Sequence, residues 1–169
     1  MSSYLIVDGW LHTPHLSGYD GELQQAFKQH WGHPLGGITG ETVNMKDPNS
    51  VVRAYAGGWR LAGSNRDYLS FHEDVNTSAF HAFRERVQGL VSAFNELYLN
   101  NDEYQLPGYP LSGMGYCGHF FAHNFEEYIG FSDQIWVVYD GSLIVYEAGS
   151  KFTTEWVKSM KPPNDTASP

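Results

Sequence analysis

The sequence predicts an α+β fold, a mainly antiparallel sheet packed against one long helix (about residues 76–101) with short extra helices. Three observations carry this. A long amphipathic stripe follows Asn76, a two-residue hairpin signal sits at Asp140-Gly141, and strand and helix patterns do not alternate as βαβ units would require. The chain has 169 residues, 41% of them hydrophobic and 17% charged, which fits one packed domain rather than a disordered chain.

Taken in order, Tyr4–Trp10 reads as a first strand and Glu22–Trp31 as a short helix. Val51–Leu61 and Tyr68–Phe71 read as a hairpin around Gly63-Ser-Asn-Arg66. The long helix starts where Asn76 or Thr77 can accept an orphan backbone N–H. Its apolar residues are Phe80, Phe83, Val87, Leu90, Val91, Phe94, Leu97 and Tyr98, at the spacing of one buried face. Asn100-Asn101-Asp102 ends it, and Gly89 inside it leaves room for a close neighbour at a cost of about 1 kcal/mol relative to Ala.

Asp140-Gly141 supplies the positive φ angles of a tight turn, which sets Val138 opposite Leu143 and Trp136 opposite Val145. Trp136, Val138, Leu143 and Val145 then share one face. Ile135, Val137, Tyr139, Ile144 and Tyr146 share the other. Both faces are apolar, so the hairpin is expected centrally in the sheet. If it is uncovered, one face becomes a surface for a partner or a second copy of the chain. Thr153–Met160 reads as a last short helix. Residues 1–160 are read as one domain and 161–169, with three prolines, as a flexible tail.

Composition narrows the function. Ten Lys and Arg against nineteen Asp and Glu give a net charge of −9, which argues against nucleic acid as partner. One cysteine leaves no disulfide framework. The N-terminus has no Lys or Arg before Lys28 and no long apolar run, and no segment approaches membrane-spanning length. The expectation is therefore a cytoplasmic protein, unless a signal segment has been removed.

Eight histidines fall in close pairs, and His119-Phe-Phe-Ala-His123 is the sharpest. His119, His123 and Glu127 share a spacing that could place three ligands on one face for a divalent metal, though no HExxH motif fixes a base beside them. Cys117 and His119 could share a strand face as nucleophile and base. Gly113-Met-Gly-Tyr-Cys-Gly118 matches a dinucleotide fingerprint literally, but a loop sequence precedes it where a strand is required. Gly36-Gly-Ile-Thr-Gly40 lacks the lysine of a phosphate loop.

From Asn101 to Ser150 there are seven acids and no Lys or Arg. Loop tyrosines beside these acids suit a partner surface. The candidate partner-binding residues are Asp102, Glu103, Tyr104, Tyr109, Tyr116, Glu126 and Asp133. The leading expectation is a small acidic binding protein without a cofactor, such as an inhibitor or immunity protein that covers a basic toxin or nuclease. A metal-dependent enzyme centred on His119 and His123 ranks second, and a small-molecule binding module third.

Overall fold

In the computed structural model, the structure describes residues 3–13, 20–33, 35, 44, 46–62, 68–100 and 116–147. The strands are β1 (Tyr4–His12), β2 (Trp59–Ala62), β3 (Tyr68–Asn76), β4 (Tyr116–His123), β5 (Gln134–Tyr139) and β6 (Ser142–Glu147). They form one sheet in the order β2-β3-β1-β4-β5-β6, and every neighbouring pair is antiparallel. The helices are α1 (Asp20–Trp31), α2 (Pro48–Ala54) and α3 (Phe80–Asn100). The α+β class with one long helix is what the sequence predicts. Among the described residues no helix is long and apolar enough to cross a membrane.

Alternation along the strands divides the sheet into two faces. One face carries a row running straight across all six strands: Trp59, Phe71, Gly9, Phe120, Trp136 and Val145. Gly9 is the gap in this row of large side chains. A Cβ there would fall on the carbonyl oxygen of His119 and 2.6 Å from the Phe120 ring. Without one, Trp59 on β2 meets Phe120 on β4 at 5.8 Å between ring centroids.

The helices close over this face. Phe80, Phe83, Val87, Leu90, Val91 and Phe94 of α3 are buried, as the stripe predicts, with Leu97 partly buried. Phe83 packs against Phe71 at 4.7 Å and Trp31 of α1 at 5.6 Å, and Trp31 packs against Trp59 at 5.2 Å. Burying each such side chain contributes about 1.5–3 kcal/mol before ordering costs. The indole of Trp136 donates to Gln134 Oε1 at 2.9 Å, and Arg84 donates to the same oxygen at 3.0 Å.

Asn76 caps the helical segment, accepting from the Ser78 backbone N–H at 2.9 Å; one 3-10 turn, Thr77–Ala79, precedes α3. Gly89 receives the His30 ring, where a Cβ would lie 2.9 Å from Nε2. His30 Nε2 donates to the Arg86 carbonyl oxygen at 2.7 Å, and Arg86 Nη1 donates to the His30 carbonyl oxygen at 2.8 Å. This reciprocal pair joins α1 to α3. Burial, aided by the Arg86 charge, holds the His30 pKa below its ordinary value, while the bond to the Arg86 carbonyl acts in the opposite direction.

Two expectations are corrected. The strand expected over Val51–Leu61 begins only at Trp59. Val51 and Val52 belong to α2, where Pro48 opens the helix and Asp47 caps it by accepting from the Asn49 N–H at 3.0 Å. The cap overrides the β preference of the valines, which are buried on the helix instead. The β5–β6 hairpin has the expected register, with φ of 50° at Asp140 and 76° at Gly141. Among the described strands it does not sit centrally: β6 lies at the edge, with Ile144 and Val145 exposed, and the first strand takes the middle. The helix expected at Thr153–Met160 and the tail at 161–169 lie outside the described residues.

Gly9→Ala should lower stability by about 1–3 kcal/mol, the usual cost of overpacking. A urea midpoint equal to that of the parent chain would show that the aromatic row can shift to admit a methyl group. A second prediction concerns pH. The unfolded chain protonates His30 near 6.5, whereas the folded chain resists the proton, so stability should fall as pH drops through and below 6.5. Urea midpoints at about pH 7.5 and 5.5 measure this, and His30→Gln should remove part of the difference.

Candidate functional site

The second sheet face is built from the alternate residues of the same strands. Register brings Ser70, Trp10 and His119 into one row, His72, Asp8 and Phe121 into the next, and sets Tyr68 beside His12. Helices α1, α2 and α3 pack on the other side. Asp8, Trp10, Tyr68, Ser70, His119 and Phe121 line an open concavity of about 470 Å³. At the β5 end of this face Ile135 and Val137 are buried, and Phe121 is exposed.

The rings in the concavity meet edge to face. Trp10 meets Tyr68 at 5.4 Å and 88°, and His119 at 5.5 Å and 68°. His119 meets Phe121 at 5.0 Å and 83°. His12 stacks on Tyr68 at 5.1 Å. Asp8 Oδ1 lies 3.4 Å from His72 Nδ1, with both side chains largely exposed. Burial lowers the His119 pKa, and the Asp8 carboxylate only partly offsets this, so the imidazole is neutral at neutral pH. The Ser70 hydroxyl donates to the Arg60 carbonyl oxygen at 3.3 Å. The result is an aromatic wall with one carboxylate and acceptor oxygens.

The stripe continues into the segment after β4. His123 follows Phe121 on the same face, and its ring meets Phe125 at 5.8 Å. Asn124, itself buried, holds this loop together. Its side chain accepts from the Tyr128 N–H at 2.9 Å and donates to the Tyr128 and Phe131 carbonyl oxygens, each at 3.0 Å. Asp133 Oδ1 accepts from the Asn124 N–H at 2.7 Å and lies 3.1 Å from His123 Nδ1. Glu127 takes a left-handed φ of 54°. The loop displays Phe125, 69% exposed, and Ile129, fully exposed.

The predicted site residues fare differently. Asp102, Glu103, Tyr104 and Tyr109 lie outside the described residues. Tyr116 opens β4 and pairs in register with Tyr139. Glu126 is exposed on the loop, whereas Asp133 is one of the loop's internal anchors. His119 and His123 share a strand face, but four residues of strand separate their backbones by about 13 Å, too far for two ligands of one ion. Among the described residues no group of three His, Cys, Asp or Glu side chains is placed to hold a metal, so His119, His123 and Glu127 do not converge.

Cys117 and His119 do not share a face either. The register of β4 shifts between Tyr116 and Gly118, and Gly118 adopts a φ of 148°. This bulge turns Cys117 into the core while His119 lines the open face. Burial, aided by Asp140, pushes the Cys117 thiol up to about 12, far from a thiolate nucleophile. Gly118 lies inside a strand rather than opening a helix, which removes the dinucleotide geometry.

Asp8, Trp10, Tyr68 and Ser70 carry no motif. Their signal is alternation: Asp8, Trp10 and His12 share one side of their strand, as do Tyr68, Ser70 and His72 of theirs. Asn124→Ala should loosen the loop and cost about 1–3 kcal/mol, seen as faster amide exchange over residues 125–131; unchanged exchange would show that Asp133 alone holds it. No family model, no curated protein and no solved structure matches the chain.

Proposed function

We propose that the protein is a binding module that holds a basic protein partner on the second sheet face and the adjoining loop. The observation that favours this reading is the line of aromatic side chains around Asp8, running from Tyr68 and Trp10 through Phe121 to Phe125, in a chain of net charge −9. Tyr and Trp dominate binding energy at interfaces because each combines a large rigid apolar area with a polar edge. The acidic charge adds steering of a basic partner. An inhibitor or immunity protein covering a toxin or nuclease is one specific form of this role.

A second reading rests on the concavity alone. Its volume of about 470 Å³ lies within the roughly 300–1,000 Å³ of small-molecule pockets, so a small ligand is the alternative occupant.

The chain used as bait at low salt should retain a basic protein that is released as salt rises from about 0.05 to 0.5 M. Trp10→Ala should reduce that retention by about 10-fold or more, as expected of a central interface aromatic, while leaving the urea midpoint close to that of the parent. Equal retention by the variant, or retention indifferent to salt, would overturn the reading.

A further inference from the structure

Resting on the reading that this face meets a basic protein, we infer that the concavity is a pocket for one arginine side chain of the partner. Successive rings in its wall stand at 88°, 68° and 83° to one another, a corrugated wall rather than a closed stack. Aromatic faces attract cations through the ring quadrupole, and a planar guanidinium adds stacking that an ammonium lacks.

The polar lining points the same way. Asp8 supplies a full negative charge, and a carboxylate has acceptor capacity beyond the one oxygen that faces His72. The Ser70 hydroxyl spends its proton on the Arg60 carbonyl, which leaves its lone pairs to accept. His119 is kept uncharged at neutral pH by burial. No Lys or Arg is among the described residues that line the concavity. Arg60 pairs with Ser70 on β2, the edge of the described sheet, where it is exposed, and opposes a second cation weakly. A guanidinium brings five N–H donors in a fixed plane, matching one carboxylate and one hydroxyl oxygen between ring faces.

The test is a titration of the intact chain with N-acetyl-arginine amide, followed by NMR at the Trp10 indole N–H and the Ser70 and Phe121 amides. The neutral isostere N-acetyl-citrulline amide and N-acetyl-lysine amide serve as comparisons. Arginine amide should shift these signals saturably in the millimolar range, about what one side chain can supply. Citrulline amide should bind about 10-fold more weakly or less, and lysine amide more weakly than arginine amide. Asp8→Asn, which preserves shape, should weaken arginine amide by about 10-fold, the effect of losing a charge-assisted bond. Arg60→Ala should leave binding unchanged or tighten it.

Equal shifts from citrulline amide or lysine amide, an Asp8→Asn titration like that of the parent, or loss of binding in Arg60→Ala would each overturn the arginine pocket. Failure of the pocket is distinguishable from failure of the face. No shift with arginine amide, together with salt-sensitive retention of a basic protein that Trp10→Ala abolishes, overturns the pocket and leaves the face. Retention indifferent to Trp10→Ala overturns the face itself.

Discussion

The fold depends on a single missing side chain. Gly9 lies on the central strand, between Phe71 of one neighbour and Phe120 of the other. Neighbouring strands stand about 4.8 Å apart, so β2 and β4 are separated by roughly 14 Å of backbone. Their rings nonetheless meet, Trp59 against Phe120 at 5.8 Å, and the Phe120 ring lies 2.6 Å from where a Gly9 Cβ would be. A Cβ at this point would meet the His119 carbonyl oxygen and the Phe120 ring. The helices then have a continuous surface to cover, with Trp31 and Phe83 closing it from above.

The neighbours of Gly9 in β1 help build the second face. Asp8 and Trp10 flank Gly9, and the alternation of a strand turns both away from the core. The core and the candidate site are thus two sides of one segment of β1. Rigidity in the core is passed to the site at no extra ordering cost, since the backbone that carries Asp8 and Trp10 is held by pairing on both sides. The loop after β4 reaches the same end by other means. Asn124 and Asp133 satisfy its backbone from inside, so the exposed Phe125 and Ile129 are displayed on a fixed frame rather than a floppy one. Preorganised apolar groups lose less entropy on contact than groups that must first be ordered.

Polar contacts settle geometry where apolar packing does not. The α1–α3 contact is fixed in register by His30 and Arg86, each bonded to the other's main chain, and by the absence of a side chain at Gly89. Asp47 and Asn76 do the same for α2 and for the approach to α3. Each is worth about 1 kcal/mol, less than one buried Phe, yet each decides where an element starts or how it is seated.

Local chemistry alone determined much of this protein. The stripe of α3, the capping by Asn76, the register of the β5–β6 hairpin and the strand at Tyr4 are all written in residues within a turn or two of one another. Local signals misled at Val51 and Val52, where β-branched residues pointed to a strand but the Asp47-Pro48 cap starts a helix, and at Cys117, where a bulge inverted the alternation. The position of the hairpin at the edge of the described strands, the place of β1 among them and the meeting of Asp8, Trp10, Tyr68 and His119 were decided only by the tertiary structure. These depend on which strands pair, and strands distant in sequence choose partners by burying one aromatic face together, a cooperative property that no window of neighbouring residues contains.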